Sequence, residues 1–417
     1  MPEWAKPAPA HGTAGNESAN TLAMRIITET AELKALAAEL ERGPYVAIDT
    51  EFMRDQTYWP KLCLIQAAGP EVEAIIDPLA PDIDLSPFHK LLAAKSVVKV
   101  FHAARQDVEI FHHQGGVIPD PLFDTQIAAM VCGFGESASY ETLVRKLAKA
   151  DIDKSARFTD WSRRPLSKRQ LEYALADVTH LRLVYEILAK ELEKTGRAKW
   201  VEEEEATLKD PATYRLEPSE AWRRLKPRSG NKRFLSVLAG VSAWREREAQ
   251  ARDVPRNRIL KDEALLEIAS HPPPDAEHLS QIRAVPNGYA NSRAGKALIG
   301  VVKEALESPP PEGMPGPERR RGREASPAAL DLLKTLLRLR ATQYRVAPRL
   351  VAGTDDLERL ASGDDDGVAA LQGWRAEVFG HDAVALRDGR LAIALENGEA
   401  VVIETGVEKK ARIAKAR

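Results

Sequence analysis

Two carboxylates close an apolar run near the start of the sequence. The stretch "PYVAIDTEF" (44–52) begins with residues typical of a buried strand and ends in Asp49 and Glu51. Residues i and i+2 of a strand project from the same face, so both carboxylates point at one place. Burying them costs free energy unless a cation neutralises them. The run therefore predicts either an ion pair with a nearby arginine or lysine, or a metal site.

Two later segments offer further acids. Asp107 follows an apolar strand and lies near the start of the helix predicted in "RQDVEIFHHQ", where the helix dipole alone favours an acid. Tyr173 and Asp177 are four residues apart in the long helix predicted over 167–196, so they share one face. A hydrogen bond at the helix surface would explain that pair by itself.

Taken together, the four acids favour metal binding. Without cations, four converging carboxylates would repel one another and their pKa values would rise. Two divalent cations turn the same groups into a ligand set that stabilises the attacking and leaving oxygens of a phosphoryl transfer. Oxygen ligands favour Mg²⁺ or Mn²⁺ over zinc. Tyr173 is then available to hold the attacking water.

Three segments resemble the motifs of a known family. "AIDTEF", "VFHAARQDVEIF" and "YALADV" resemble the exonuclease motifs of the DEDD superfamily, in its tyrosine-containing branch. The surrounding text, such as "DKSARFTDWSRRPLSKRQLEYALADVTHL", is similar to the ribonuclease D family. This resemblance implies a ribonuclease H-like α/β domain, with a mixed sheet flanked by helices. It also implies release of 5′-mononucleotides from the 3′ ends of RNA.

The resemblance implies roles for individual residues as well. By motif position, Asp49, Glu51, Asp107 and Asp177 match the metal ligands of the family, and Tyr173 matches the tyrosine that orients the attacking water. The implied cofactors are two divalent cations, Mg²⁺ or Mn²⁺. The implied substrates are tRNA precursors and other RNAs with structured 3′ ends.

Other residues near the motifs are weaker candidates. Phe52 is placed to stack on the terminal base, although a core position explains it equally well. His102 and Gln106 are candidates for contacts to the terminal nucleotide, with a buried, hydrogen-bonded histidine as the alternative for His102. Asp124 and Asp160 are interpreted as structural caps. Four cations before the third motif are candidates for steering phosphates, with ordinary solvated surface as the favoured interpretation of any single one: Lys154, Arg163, Arg164 and Arg169.

A net charge of −2 conceals a basic segment. Residues 221–261 hold twelve lysines and arginines against three acids. Such clustering is what phosphate binding requires, and a solvated helix face is the alternative. The text "NKRFLSVLAGVSAWREREAQARDVPRNRILKDEALLEIAS" resembles the HRDC domain, a small helical module that binds nucleic acid. Trp244 is then expected in its core, and Arg252, Arg256 and Arg258 in a phosphate-contacting loop.

Five stretches are predicted along the chain. They are a disordered leader (1–23), the exonuclease domain (24–205), the HRDC domain (217–307), a Pro/Arg-rich linker (308–327) and a second, diverged HRDC-like domain (328–417). The last stretch is acidic around "GTDDLERLASGDDDG" and ends in alternating segments typical of strands. Packing against the exonuclease domain is therefore an alternative to RNA binding for this stretch.

Composition indicates the cellular compartment and excludes some classes of protein. Two cysteines, Cys63 and Cys132, in apolar surroundings argue against a disulfide framework or a zinc site and favour a reducing cytoplasm. No apolar run approaches the roughly 18 residues of a membrane span. The prediction is a metal-dependent 3′-5′ exoribonuclease. Two alternatives stay open: a DNA exonuclease of the same fold, because the motifs do not distinguish ribose from deoxyribose, and a nucleic-acid-binding scaffold with a silent active site.

Overall fold

The computed structural model of the chain describes residues 24–225, 231–310 and 325–405, apart from the side chain of Lys154. The predicted leader and residues 311–324 of the predicted linker lie outside these ranges. Within them, every helix is too short or too polar to cross a membrane.

Six strands form one mixed sheet. The strands are β1 (Ile26–Ile27), β2 (Tyr45–Met53), β3 (Lys61–Ala68), β4 (Glu73–Ile76), β5 (Val98–Phe101) and β6 (Leu122–Asp124). Their order across the sheet is β1-β4-β3-β2-β5-β6. β3 is antiparallel to both of its neighbours, and the remaining neighbours are parallel. This confirms the predicted mixed sheet.

Helices cover both faces of the sheet. In the first part of the chain they are α1 (Thr30–Leu40), α2 (Ser86–Ala93), α3 (Arg105–Gly115), α4 (Thr125–Val131), α5 (Tyr140–Leu143), α6 (Lys168–Thr195) and α7 (Ala198–Lys209). α1, α2 and α3 pack on one face, whereas α4, α6 and α7 pack on the other. A π-helical stretch, Val144–Ala148, continues α5. The result is a three-layer α/β unit.

β1 and β6 have no counterpart among the predicted strands. They contain two and three residues, too few for an alternating pattern to show. Asp124 ends β6 and is also the N-cap of α4. Its carboxylate accepts one backbone N–H at the start of α4 and two in the turn before α3. Asp160 accepts the backbone N–H of Ser162 at 3.0 Å. Both acids therefore cap local structure, as predicted.

The sheet-containing unit extends past residue 205. α7 continues to Lys209, and Leu208 and Tyr214 are buried in the core beneath α1, α2 and α3. Glu205 is fully buried and accepts the backbone N–H of Asp124 at 2.6 Å. We therefore place the end of the first unit after Tyr214 (first unit, 24–214).

Residues 216–307 form a second unit with a separate core. Its helices are α8 (Lys232–Arg252), α9 (Arg256–Ile259), α10 (Asp262–Ser270), α11 (Ala276–Gln281) and α12 (Arg293–Glu307). Its described residues contain no strand, in agreement with the sequence pattern. Trp244 is 5% exposed and lies in the core, as predicted.

Hydrogen bonds from the loop after β2 to the Glu246–Arg256 ion pair and to Asp253 join the second unit to the first. Tyr58, in the loop after β2, donates its hydroxyl to the Glu246 carboxylate. The Arg256 guanidinium donates to the same carboxylate at 2.5 and 2.7 Å. Asp253 Oδ1 accepts the backbone N–H groups of Tyr58 and Trp59 at 3.1 and 3.0 Å. The loop after β2 is thus a docking element for the second unit.

Arginines expected at the RNA also make protein contacts. Arg256 pairs with Glu246 and lies over the Tyr58 ring, 4.5 Å from its centroid, and its place in a phosphate-contacting loop stays a prediction. Arg252 pairs with Glu248 on α8. Arg258 donates to the side chain of Gln56 in the first unit.

Residues 327–405 form a third unit. It comprises α13 (Pro327–Tyr344), α14 (Pro348–Val351), α15 (Thr354–Ser362), α16 (Gly373–Arg375), α17 (His381–Arg387) and an antiparallel hairpin of β7 (Leu391–Glu396) and β8 (Glu399–Glu404). The hairpin matches the predicted terminal strands. A π-helical turn, Ala376–Gly380, joins α16 to α17.

The third unit packs against α7 of the first. The Trp374 ring stacks on Trp200 with centroids 4.5 Å apart, and its Nε1 donates to Glu204 at 3.0 Å. Arg375 pairs with the same carboxylate at 2.6 Å. Packing against the exonuclease domain, the alternative left open for this stretch, is therefore confirmed.

Removing Arg256 should weaken the docking of the second unit. Glu246 is 2% exposed, so Arg256→Ala leaves a buried charge without its cation, and we expect a loss of about 2–3 kcal/mol in unfolding free energy. Arg252→Ala, which breaks an exposed pair on the same unit, should cost less than about 0.5 kcal/mol. Urea unfolding followed by tryptophan fluorescence measures both. Equal losses in the two variants would contradict the structural role of Arg256.

Candidate active site

The alternation of β2 explains why it ends in acids. Val46 and Ile48 point into the core beneath α1, α2 and α3, whereas Tyr45 and Ala47 point into the core beneath α6. Asp49 and Glu51 continue the second set, because side chains of a strand alternate with a period of two. A break in the register with β3 follows directly between Glu51 and Phe52. Such bulges bend a strand and re-aim its side chains.

The third motif lies on the helix that faces those acids. α6 begins at a capping box made by Ser167 and Gln170 and ends at Gly196 in the left-handed conformation. Asp177 belongs to the buried stripe of α6 that packs on the sheet, next to Val178. Tyr173 lies one turn earlier on the same face. The helix therefore carries its acid to the end of β2.

Three carboxylates meet at this point. One oxygen of each of Asp49, Glu51 and Asp177 lies within 4.8 Å of the others. Asp177 is 8% exposed, and the other two are partly exposed. In the described part of the chain, none of the three forms a salt bridge with lysine or arginine. The acids at this strand end are explained either by an ion pair with arginine or lysine or by a metal site. Within the described residues the ion pair is absent.

Asp107 approaches the same place from the other layer. It is the third residue of α3 and 7% exposed. Its Oδ1 accepts a hydrogen bond of 2.5 Å from Thr50 Oγ1, whose side chain projects from β2 on the face opposite Asp49. Asp107 therefore lies outside the group of three, although it is near enough to raise the pKa values of its neighbours.

Burial and mutual repulsion raise the pKa of every acid in the site. Burial raises the pKa of Asp49 to about 6. Burial, with repulsion from Asp49, raises the pKa of Asp177 to about 8 and that of Glu51 to about 9. The same causes raise the pKa of Asp107, against the hydrogen bond from Thr50. Arg157 acts in the opposite direction on Glu51 and Asp177.

Two tyrosines, Tyr140 and Tyr173, lie beside the carboxylates of the site. Burial and the carboxylates of Asp177 and Glu51 raise the pKa of Tyr173 well above its ordinary value, so its hydroxyl keeps its proton. Tyr140 donates its hydroxyl to the backbone carbonyl of Asp177. Tyr173 is therefore equipped to donate or accept a hydrogen bond, and not to remove a proton as a phenolate.

A cavity of about 300 Å³ opens at the carboxylates, near the lower limit for ligand pockets. Its walls include Asp49, Tyr173 and Asp177, together with His102. Burial lowers the pKa of His102, and its Nδ1 lies 3.0 Å from Thr125 Oγ1. The structure thus brings His102 to the site. The other two predicted substrate contacts lie elsewhere: Phe52 packs against the core beneath α1–α3, and Gln106 is exposed outside the cavity.

Sequence reasoning missed several residues of the cavity, among them Tyr140 and Arg157. Arg157 lies in the segment before α6 that also holds Arg163 and Arg164, and nothing in the pattern separates it from them. Its guanidinium lies 5.3 Å from the ring centroid of Phe158, which is 92% exposed. An exposed aromatic ring beside an arginine at the mouth of a polar cavity is suited to base stacking.

The cations that the sequence did suggest are engaged elsewhere. Arg164 forms two hydrogen bonds with Asp77 at 2.6 and 2.7 Å. Arg163 pairs with Asp160, and Arg169 pairs with Asp153. Their interpretation as ordinary structural or surface cations agrees with these contacts, and Lys154 lies outside the described side chains.

The donor set fits a divalent cation. It consists of carboxylate oxygens only, within 4.8 Å of one another and with raised pKa values, and no lysine or arginine of the described ranges forms a salt bridge with them. Such oxygens are preferred ligands of hard divalent cations, and a bound cation would offset the repulsion between the carboxylates.

The metal-free protein should therefore lose stability as the pH rises. A carboxyl whose pKa is higher in the folded than in the unfolded chain contributes stability near pH 4 that disappears as the pH passes its folded pKa. For Asp49, Asp177 and Glu51 this range runs to about pH 9. In EDTA, we expect the melting temperature to fall between pH 5 and 9, and to fall less for Asp177→Asn.

Scanning calorimetry measures this effect. At pH 8 the variant should melt above the wild type, by about 3 °C for each kcal/mol of repulsion removed. Mg²⁺ should raise the melting temperature of the wild type more than that of Asp177→Asn. Glu71→Gln, which removes an exposed carboxyl, is the control. Parallel pH curves for all three proteins would show that the carboxylates do not repel one another.

Comparisons with known proteins agree with this geometry. Residues 24–193 match a family model described as 3′-5′ exonuclease, and residues 234–302 match the HRDC domain model. A ribonuclease D from Granulibacter bethesdensis is 51% identical, over 91% of this chain and 97% of its own length. A ribonuclease D from Nitrobacter hamburgensis is 48% identical, over 91% of this chain and 100% of its own.

A solved structure resembles the whole fold. The crystal structure of Escherichia coli RNase D, an exoribonuclease involved in structured RNA processing, superposes with a TM-score of 0.76 at 29% identity. The superposition covers 88% of this chain and 99% of the other.

Proposed function

The chain belongs to the ribonuclease D family of hydrolytic 3′-5′ exoribonucleases, and we propose that it trims the 3′ ends of structured RNAs, tRNA precursors among them. The observation that carries this proposal is the group of three carboxylates, two of which, Asp49 and Asp177, line a cavity together with Tyr173. A cavity of about 300 Å³ suits one nucleotide at a time, and so favours attack from a strand end over attack within the strand.

We assign the metal ligands to Asp49, Glu51, Asp107 and Asp177, and the cations to Mg²⁺ or Mn²⁺. Cations bound there would supply Lewis-acid stabilisation of the charge that develops on the phosphate oxygens. Three of these acids already lie together. The Oδ1 of Asp107 is engaged by Thr50 Oγ1, and we assign Asp107 as the fourth ligand from its motif position.

The remaining polar residues position the reactants. Tyr173 keeps its proton, so it orients the attacking water while the water proton goes to another acceptor. Arg157 has no carboxylate partner in the described residues and faces Glu51 and Asp177, which places its charge where the scissile phosphate must lie. His102 is neutral at pH 7 and is suited to hydrogen bonding with the terminal nucleotide.

We also propose that the third unit is a diverged copy of the second. α8 and α13 both end at a non-glycine residue in the left-handed conformation, Asp253 and Arg345. Each is followed by a four-residue helix and then by a nine-residue helix. In the second unit α11, a 3₁₀ turn and α12 come next, and in the third unit a 3₁₀ turn is followed by α16 and α17. This repeated order supports two HRDC-type modules, of which the third unit adds a hairpin.

A cytoplasmic location is consistent with the thiols. Cys63 and Cys132 are both unpaired, and Cys63 is buried in the first unit. Burial raises the pKa of both thiols, which makes them poor nucleophiles and poor metal ligands. We therefore propose that the chain works in a reducing compartment without a disulfide.

Substitutions should separate metal binding from water orientation. Asp177→Ala removes a ligand, so nucleotide release should disappear while RNA affinity stays within about threefold of the wild type. Tyr173→Phe keeps all four carboxylates, so Mn²⁺ binding should persist while the single-turnover rate falls about 10²-fold. Tyr344→Phe in the third unit is the control for loss of a tyrosine hydroxyl. An unchanged single-turnover rate in Tyr173→Phe would remove its assigned role.

The substrate assignment is tested with labelled strands. A 3′-extended tRNA precursor and a DNA of matched sequence, each labelled at the 5′ end, are incubated with Mg²⁺, Mn²⁺ or EDTA. We expect stepwise shortening of the RNA from its 3′ end with either metal, none in EDTA, and weak action on DNA. Equal or faster shortening of DNA would assign the site to DNA. Tight binding without shortening would identify a scaffold.

A further inference from the structure

A second cavity, of about 500 Å³, lies between the first and second units. On one side it is formed by the segment after β2 and by α3, and on the other by α8, the loop at α9 and the 3₁₀ turn before α8. We refer to it as the inter-unit cavity. Five arginines but only two carboxylates line it: Arg54, Arg105, Arg224, Arg245, Arg256, Glu109 and Asp262.

Two of these arginines carry charge that no acid balances. Arg54 pairs with Glu109 at 2.6 Å, and Arg245 pairs with Asp262 at 2.6 Å. Arg256 is held by Glu246, as described above. In residues 24–225, 231–310 and 325–405, Arg105 and Arg224 have no carboxylate within salt-bridge distance, and both are exposed. The inter-unit cavity therefore presents about two uncompensated positive charges.

A buried donor in the wall also lacks a partner. Arg245 is 3% exposed and uses Nη1 to bind the backbone carbonyl of Leu260 and the Asp262 carboxylate. Its Nε is buried and has no acceptor among the residues that the structure describes. A buried N–H without an acceptor is unfavourable, and an anionic oxygen entering the cavity would supply one. A guanidinium matches the oxygens of a phosphate group better than any other side chain does.

The inter-unit cavity lies beside the active site. Arg105 and Glu109 are four residues apart and share a face of α3, whereas Asp107 is rotated by about 200° and faces the metal-binding acids. Arg54 comes directly after β2 and is three residues beyond Glu51, a separation of about 10 Å along an extended chain. The two sites are therefore a few nucleotides apart along a bound strand.

We propose that the inter-unit cavity is a phosphate-binding site, filled by the backbone of the RNA whose 3′ end occupies the active site. This inference rests on the proposed function. Each unit contributes one unpaired arginine, so the site exists only when the second unit is docked on the first. Binding of a strand there fixes the distance between the helical module and the carboxylates.

Arg105→Gln, Arg224→Gln and the double variant test this site. Both side chains are exposed and unpaired, so the variants should melt like the wild type, whereas Arg245 is buried and its loss would disturb the fold. Arg247→Gln is the matched control, because Arg247 is exposed on α8 and lies outside the cavity. Binding of a single-stranded RNA is measured by fluorescence anisotropy in EDTA at several salt concentrations.

The double variant should bind RNA about tenfold more weakly than Arg247→Gln at 0.1 M salt, which corresponds to roughly 1.4 kcal/mol. Each lost phosphate contact should lower the slope of log K against log salt by about 0.7. If RNA affinity and slope are the same in the double variant and the control, the RNA backbone does not occupy the cavity.

A second measurement distinguishes free phosphate from RNA. Inorganic phosphate or a 5′-mononucleotide is added at millimolar concentration, and the melting temperature is followed. If these anions stabilise the control but not the double variant while RNA affinity is unchanged, the site holds free phosphate and the RNA source is overturned. If neither RNA nor phosphate distinguishes the two proteins, the whole proposal fails.

Failure of the proposed function has a different signature. Nucleotide release by the wild type in Mg²⁺ is measured separately, and its absence would contradict the exonuclease assignment. The binding comparison is carried out in EDTA, so it remains interpretable whatever the outcome of that assay.

Discussion

Repulsion between carboxylates at the end of one strand is the constraint around which the first unit is built. Asp49, Glu51 and Asp177 lie within 4.8 Å of one another, and no lysine or arginine of the described ranges forms a salt bridge with them. The hydrophobic stripe of α6 against β2, β3 and β5 holds them there, because it buries Val178 and Leu181 on the same face that carries Asp177. Packing free energy thus maintains an arrangement that electrostatics opposes and that a divalent cation would relieve.

The strand that carries the acids also determines where the second unit lies. Seven residues after Glu51, Tyr58 donates to the buried Glu246, and Asp253 accepts the backbone of the same loop. A movement of the second unit would therefore displace the loop after β2 and the end of this strand. The third unit docks at a separate place, on α7, through Trp200 and Trp374. Both helical modules are thus fixed to the catalytic unit by buried or stacked contacts.

The chain has a net charge near zero, yet some arginines of its described ranges form no salt bridge with a carboxylate. This difference between paired and unpaired arginines explains how the chain can bind a polyanion. Arg164 forms a salt bridge with Asp77, and Arg256 forms one with Glu246, so both arginines stabilise the fold. Arg105, Arg157 and Arg224 have no carboxylate in contact within the described ranges, and all three line cavities. The unpaired arginines that line these two cavities therefore lie at and beside the active site.

The sequence by itself determined the features that depend on local periodicity and chemistry. Alternation placed Asp49 and Glu51 on one face, a spacing of four placed Tyr173 and Asp177 on another, and the capping residues bounded α6. Only the tertiary structure decided that Thr50 holds Asp107, that Phe52 faces the core, and which arginines remain unpaired. It also decided the two- and three-residue strands, which are too short to leave a pattern. These outcomes depend on distances between segments far apart in the chain, and no local pattern encodes such distances.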